Sequence, residues 1–373
     1  MPQLDGLRAF AVAAVLLHHL FPIVQPVVGG FGGLLGVKLF FVLSGFLITR
    51  ILLQARSSST GRGSWQLAQQ FYIRRCLRIF PLYYFVIAFA LLVGVPEVRD
   101  EFWWLVTYTF NFRVATLGTW PGNIAHFWSL AVEEQFYLVW PWVILLLPLR
   151  AFVPLTVAMI LLGPAYRLLA YAWGLNDIAF YAVTFSSLDA LGCGALLAIL
   201  SGGDDAMTAR VRRSCRLYVL PIGLTLIAAL HVIRAVSTIG HALHPIFLDT
   251  AVALVCTWLV SSASGGFAGP LGHLLNARPL RYCGRIAYGT YVYHLLLPGP
   301  IYELGVWLGV AWQSHGYLHG VVSTVATFIV ASLSWRLMER PINALKDRFA
   351  YEHRAPVAGL PNTAAHKVAL GAT

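Results

Sequence analysis

Two adjacent glutamates lie inside an apolar stretch of the chain, where ionisable side chains are rare. The stretch 126–141 reads HFWSLAVEEQFYLVWP and contains Glu133 and Glu134. A charged side chain at the centre of a membrane helix costs about 2.5–3.5 kcal/mol, so it is a functional-site candidate by default. Glu133 shares a helical face with Ser129 and Tyr137, whereas Glu134 faces leucines. We therefore assign a catalytic role to Glu133 and substrate contacts to its two polar neighbours. The alternative is a structural carboxylate, neutralised by burial or paired with an arginine.

A histidine and an arginine share one face of the first apolar segment, LDGLRAFAVAAVLLHH. Arg8 and His19 are eleven residues apart, close to three helical turns and about 16 Å along the helix axis. Arg8 would lie at the membrane rim, and His19 near mid-membrane, at the depth expected for Glu133. A neutral imidazole there could act as a general base, although a packed, hydrogen-bonded histidine is the alternative. His18 points about 100° away and is the weaker candidate.

Arginines cluster at the start of another apolar segment, FYIRRCLRIFPLYY. Arg75 and Arg78 lie one helical turn apart, with Arg74 beside them. Because guanidinium groups bind phosphate with two parallel hydrogen bonds, this pair could anchor a nucleotide-like phosphate group. The alternative is that these arginines only contribute to the excess of basic residues on the cytoplasmic side of a membrane protein. The sequence has no Walker-type loop or dinucleotide fingerprint, so neither ATP nor NAD is indicated.

The remaining intramembrane polar residues are weaker candidates. Asp189 in FSSLDALGCGALLAIL and His294 in YGTYVYHLLLP could bind substrate in the same cavity or simply join helices by hydrogen bonds. Lys38 could extend to the outer surface of the membrane. His241 and His244 lie in HALHP, which we read as an exposed loop. We predict no metal site, because two lone histidines are weak evidence and the five cysteines lack ligand spacing.

The composition of the chain indicates the class of fold that positions these residues. Of 373 residues, 58% are hydrophobic and only 11% are charged, whereas a soluble domain carries about 25% charged residues. The chain is therefore predicted to be an all-α, polytopic membrane protein. The segment 97–125 is too short in its apolar part to span and is read as interfacial or re-entrant. We predict about ten transmembrane helices, at 7–25, 33–54, 75–96, 126–147, 152–173, 180–200, 217–234, 247–263, 284–304 and 317–336.

The basic residues predict the orientation. All but five of the 26 Lys and Arg residues fall on one side of these spans, which the positive-inside rule makes cytoplasmic together with both termini. The net charge of +11 thus reflects topology, and no nucleic-acid partner is expected. The five exceptions are Lys38, Arg99, Arg113, Arg167 and Arg234.

The predicted domain organisation is simple. Residues 1–345 form one membrane domain, and 346–373 form a cytoplasmic, disordered tail. The first segment is too long for the core of a cleavable signal peptide, and no small-residue cleavage site follows it, so it stays as a helix. We find neither an internal repeat nor broken helices in matching positions.

Seven of these segments, taken together, resemble the acyltransferase-3 family of integral-membrane O-acyltransferases. The resemblance runs from residue 2 to about 342, with the motifs in the family's order. The matching pieces are LDGLRAFAVAAVLLHH, GVKLFFVLSGFLITRIL, FYIRRCLRIFPLYY, HFWSLAVEEQFYLVWP, LDALGCGALLA, IAYGTYVYHLLL and SWRLMERPI.

The resemblance implies ten membrane helices in a bacterial inner or plasma membrane. It implies transfer of an acyl group, most commonly acetyl, from cytoplasmic acyl-CoA to a hydroxyl of a carbohydrate or another exported acceptor. The family's Arg-x10-His motif falls on Arg8 and His19, its Arg-x-x-Arg motif on Arg75 and Arg78, and its glutamate on Glu133. Many members carry an additional C-terminal hydrolase-like domain, so this chain resembles the stand-alone type. Acyl-CoA, the acceptor and membrane lipid are the expected partners.

The resemblance and the residues together give a mechanism. Arg75, Arg78 and Arg8 would hold the CoA phosphates, and His19, held in position by Glu133, would deprotonate the acceptor hydroxyl. An acyl-histidine intermediate is equally allowed. The main rival is a transporter of a sugar, lipid-linked intermediate or small metabolite, which the missing repeats and broken helices disfavour. A non-catalytic scaffold is the third reading. The acceptor and the acyl chain stay open.

Overall fold

The computed structural model describes residues 1–21, 31–58, 63–310, 312–313 and 316–349. Within these ranges the chain is helical and contains no strand, which confirms the all-α prediction. Several of the longer helices include a 3₁₀ or π turn. The principal helices are α1 Pro2–Leu20, α2 Phe31–Ser58, α3 Ser64–Leu92, α4 Phe127–Leu146, α5 Leu149–Ala172, α6 Thr184–Leu200, α7 Asp205–Val236, α8 Thr238–Gly265, α9 Ala287–Tyr293, α10 Pro298–Trp307 and α11 Tyr317–Phe349.

Six of these helices are long and apolar enough to cross a membrane by length and composition: α2, α3, α5, α7, α8 and α11. The predicted number of about ten spans and the cytoplasmic placement of the termini stay predictions. The end of the first predicted span, 22–25, lies outside the described residues. So does most of the predicted tail, 350–373, while residues 346–349 belong to a 3₁₀ turn whose carbonyls accept hydrogen bonds from Arg74.

The segment predicted to be interfacial or re-entrant contains no spanning helix. It folds into the short helices Pro96–Asp100, Phe102–Val106 and Phe110–Leu117, followed by a 3₁₀ turn at Gly122–Ile124. Gln135 on α4 ties the segment down by donating hydrogen bonds of 2.8 Å to the Tyr108 carbonyl and to the Asn111 side chain. The other short helices are Asp177–Ala182, Gly269–Asn276 and Arg278–Arg285.

The predicted span 284–304 is wrong as a single helix. Residues 294–297 form an irregular turn that separates α9 from α10. Pro298 and Pro300 lack the amide hydrogens that a continuous helix would use, which favours a break before them. Irregular backbone at membrane depth is tolerated where it is buried in protein or lines a cavity, and His294, at the break, is fully buried.

Helix α2 lies at the centre of the bundle, packed against α1, α4, α6 and α8. Small residues allow these backbones to approach closely, as is common between membrane helices. A Cβ atom on Gly45 of α2 would overlap the Leu191 carbonyl of α6, and one on Gly194 would overlap the Val42 carbonyl. This contact fixes α2 and α6 against each other, and the cavities open around α2.

Candidate active site

A first cavity, which we call the arginine cavity, has a volume of about 110 Å³. It lies among α1, α2, α3, α4 and the segment that leads into α9. Every predicted CoA-binding arginine lines it, and so does every polar residue of the predicted glutamate face. Its ionisable side chains are Arg8, Arg75, Arg78, Arg285, Glu133 and Glu134.

The glutamate face forms one wall of the arginine cavity, as its spacing predicted. Ser129, Glu133 and Tyr137 all line it, and the Tyr137 hydroxyl is hydrogen-bonded to Ser44 of α2. The Arg75 guanidinium lies 4.4 Å from the centre of the Tyr137 ring, within the range of a cation–π contact. The expectation that Glu134 faces away is wrong, because it lines the same cavity.

The arginine cavity is electropositive, since four guanidinium groups face only two carboxylates. Asp5, one turn earlier on α1, holds Arg8 in place with a 2.8 Å ion pair. Surplus guanidinium groups in a concave site suit a ligand with several phosphates. Arg285 belongs to this set, yet the sequence analysis assigned it only to the basic side of the membrane. An arginine near the end of a span has the same sequence pattern whether it binds a ligand or lipid.

A second cavity, which we call the histidine cavity, is larger, at about 700 Å³. His19 lines it together with His18, His126, His231 and His244. Its walls come from α1, α2, α7, α8 and α9, from the start of α4 and the segment before it, and from the short helix Asp177–Ala182. A volume of this size lies within the range of about 300–1,000 Å³ that is typical of small-molecule sites.

The hydrogen bonds around His19 decide where its proton lies. Its Nδ1 is 3.1 Å from the Val15 carbonyl and 3.2 Å from Nε2 of His294. His294 in turn has Nδ1 2.6 Å from the Tyr291 carbonyl. Because a carbonyl can only accept, protonation of both imidazoles on Nδ1 satisfies both carbonyls. The single Nδ1–H of His19 is then shared between the Val15 carbonyl and Nε2 of His294. Nε2 of His19 is then the basic atom, and His294 is the group that orients it.

His126 is a third histidine of this cluster, and the sequence missed it as a site residue. Its ring centre lies 4.7 Å from that of His294, and its Nε2 lies 3.0 Å from the Val292 carbonyl. His126 lies shortly before Glu133 in the sequence. A polar residue at that position is equally typical of the start of a helix, so the sequence did not single it out. Within the described ranges, no group of three or more His, Cys, Asp or Glu side chains is arranged to hold a metal ion.

The predicted contact between His19 and Glu133 is absent from the described part of the chain. Glu133 lines the arginine cavity, whereas His19 lines the histidine cavity and hydrogen-bonds Val15 and His294.

Two residues, Val37 and Tyr291, line both cavities, and we call this boundary the partition. The Tyr291 hydroxyl lies 2.5 Å from Ser129 Oγ and 3.3 Å from the His126 carbonyl. The cavities are thus neighbours across a thin layer of side chains, with Ser129 held against that layer.

Comparison with known proteins decides the family. The model of a family described as an acyltransferase domain matches residues 1–336, which is most of the chain. The chain belongs to the acyltransferase-3 family.

Curated relatives of this acyltransferase-3 chain come from bacteria. It is 28% identical to the peptidoglycan O-acetyltransferase OatA of Listeria monocytogenes over 92% of its own length and 56% of that protein. It is 29% identical to the O-acetyltransferase OatA of Staphylococcus aureus over 92% of its length and 57% of that protein. The chain thus spans little more than half the length of these relatives. No solved structure matches it.

Asp189, predicted to bind substrate in this acyltransferase-3 chain, lines neither cavity. It belongs to a four-charge cluster of Lys38, Arg167, Asp189 and Asp249. Arg167 donates to Asp189 at 2.7 Å, and Lys38 Nζ lies 2.7 Å from Asp249. Two longer ion pairs of 3.8 Å complete the cluster.

The four-charge cluster also corrects the expectation for Lys38. Lys38 does not extend to the membrane surface, because its side chain is only 1% exposed. It remains buried because two carboxylates compensate its charge, and Arg167 is buried for the same reason. Asp189 therefore joins helices, which was the alternative that its sequence context left open.

Proposed function

We propose that this chain is a membrane O-acyltransferase that moves an acyl group, acetyl by preference, from cytoplasmic acyl-CoA to a hydroxyl of a cell-wall or other exported carbohydrate. The arrangement of the two cavities carries the proposal. An electropositive cavity suited to phosphates adjoins, across the partition, a larger cavity that contains an oriented histidine base. Family membership and the names of the relatives support the same reaction class.

The arginine cavity would hold the donor. Arg75, Arg78, Arg8 and Arg285 would bind the CoA phosphates, and the pantetheine arm would lead the thioester toward the partition. Glu133 and Glu134 limit the positive charge of the cavity, and Tyr137 holds the Arg75 guanidinium through the cation–π contact. In this proposal Glu133 acts on the donor side, by its charge in the arginine cavity, and not on His19.

The histidine cavity would hold the acceptor. Nε2 of His19 takes the proton of the acceptor hydroxyl while the oxygen attacks the thioester carbonyl between Val37 and Tyr291. A carbon–oxygen bond forms, the carbon–sulfur bond breaks, and the proton passes to the departing CoA sulfur. His294 accepts a hydrogen bond from the imidazolium form of His19 and so orients and stabilises it, although without the negative charge of the carboxylate in a catalytic triad. Transfer by way of an acyl-histidine at the same Nε2 uses the same geometry.

One observation favours the rival function, export of a sugar or small metabolite. The break between α9 and α10 at His294 resembles the discontinuous helices of transporters. An exporter would need the two cavities to connect, but it would not need acyl-CoA. Consumption of acyl-CoA therefore separates the two functions.

The test is the release of CoA thiol from radiolabelled acetyl-CoA by the purified protein in nanodiscs, with and without an N-acetylglucosamine oligosaccharide. We expect turnover by the wild type, and loss of it in His19→Ala. His273→Ala, an exposed histidine on the helix Gly269–Asn276, is the matched control and should retain it. Equal turnover in His19→Ala would refute the assignment of the base, and no turnover with any acyl-CoA would favour the exporter.

A further inference from the structure

Three aromatic side chains form a continuous wall of the histidine cavity. Trp128 has its ring centre 4.9 Å from that of Tyr181 and 6.2 Å from that of Trp120, and Trp120 lies 6.5 Å from Tyr181. All three line the cavity, and Trp128 is only 5% exposed. Tryptophan and tyrosine are common at membrane interfaces, where they anchor a protein to lipid. These three instead surround a concave space.

Such a wall suits a sugar ring. The face of an aromatic ring is electronegative, and it attracts the electropositive C–H groups on the apolar face of a pyranose. Ligand cavities commonly combine aromatic walls with a few convergent polar groups that fix orientation. The histidine cavity has that composition, and its volume of about 700 Å³ is sufficient for more than one sugar residue.

A cation lies on the lining of the same cavity. Arg234, near the end of α7, is exposed, and its Nη1 lies 3.4 Å from Nδ1 of His244. Among the residues that the structure describes, no carboxylate comes within ion-pair distance of the Arg234 guanidinium. Asp249 lines the cavity too, but Lys38 and Arg167 already neutralise it.

We propose that the histidine cavity binds a pyranose glycan that carries a carboxylate. Trp120 and Tyr181, backed by the buried Trp128, would stack on the sugar, and Arg234 would bind the carboxylate. This inference rests on the proposed function, because it names the acceptor class that His19, in the same cavity, would deprotonate. It adds a specificity: a glycan with a carboxylate should bind better than a neutral one of the same length.

The test measures binding, so it does not depend on turnover. Wild-type protein in nanodiscs is titrated with two probes, trigalacturonic acid and neutral chitotriose, by saturation-transfer difference NMR. We expect both to bind, with at least tenfold higher affinity for the acidic probe, because a hydrogen bond to a charged group contributes more than a neutral one. Arg234→Gln should remove this preference, and Arg234→Lys should keep part of it.

Variants of the aromatic wall complete the design. Trp120→Ala should weaken both probes about tenfold, since a lost aromatic stacking surface affects either sugar, whereas Trp120→Phe should preserve most of the binding. Arg99→Gln and Trp307→Ala, both highly exposed and outside the cavity, are the matched controls. Size-exclusion profiles show whether each variant is folded.

The outcomes distinguish this inference from the function on which it rests. Equal affinity for the two probes, an unchanged preference in Arg234→Gln, or no binding of either probe would overturn the inference. CoA release by the wild type is measured separately. Turnover without sugar binding would support the acyltransferase function and refute the acceptor assignment. Sugar binding without turnover would support the acceptor assignment and contradict the acyltransferase function.

Discussion

Replacing His294 with alanine should slow acyl transfer by about 10- to 150-fold. His294 Nε2 lies 3.2 Å from Nδ1 of His19, and it accepts the hydrogen bond that orients the proposed base. When His19 becomes an imidazolium in the transition state, this bond is made to a charged group and contributes about 1.5–3 kcal/mol. A loss of 1.36 kcal/mol corresponds to a factor of ten in rate, which gives the expected range.

The kinetic signature of this change is specific. Because the interaction strengthens only when His19 gains its proton, kcat should fall while the KM for acetyl-CoA, which binds in the other cavity, stays within twofold. His294→Gln places an amide oxygen near the position of Nε2 and should recover much of the rate.

The assay is the steady-state release of CoA thiol in nanodiscs. The control is His319→Gln, a buried histidine of α11 that lines neither cavity. An activity of His294→Ala within twofold of wild type, or an effect confined to KM, would refute the reasoning that His294 orients the base.

Two further predictions concern the donor site and the four-charge cluster. Arg78→Gln should raise the KM for acetyl-CoA at least tenfold but leave that for acetyl-pantetheine, which lacks the phosphates, unchanged; equal effects on both donors would contradict phosphate binding. Lys38→Met should destabilise the protein by about 3–5 kcal/mol, because it leaves a buried carboxylate uncompensated. The double variant Lys38→Met/Asp249→Asn should recover part of that loss in thermal unfolding, and equal instability of the two would contradict the pairing.

The sequence was informative for most relations within a single helix, with the orientation of Glu134 as the exception. The shared face of Ser129, Glu133 and Tyr137 and the one-turn spacing of Arg75 and Arg78 are local properties, and the structure places all five residues on one cavity. Helical periodicity depends only on neighbouring residues, so the face that a residue shares can be predicted without knowledge of the fold.

Relations between distant segments could not be predicted in this way. His294 is 275 residues from His19 and meets it only in the folded bundle, where it directly follows the last residue of α9. The burial of Lys38 likewise depends on carboxylates from α6 and α8. Such partners follow from tertiary packing, which a single sequence read by hydropathy does not specify.

The partition has an electrical consequence. A membrane potential of 100 mV acts on each charge that crosses the bilayer with about 2.3 kcal/mol. Moving whole acyl-CoA across the membrane would change the electrical free energy by this amount for each of its several phosphate charges. In the proposed reaction an acyl group and a proton are exchanged between Val37 and Tyr291 with no net transfer of charge, while the charged carrier stays in the arginine cavity. The rate of the reaction would therefore be independent of the membrane potential, and the reaction would not dissipate that potential.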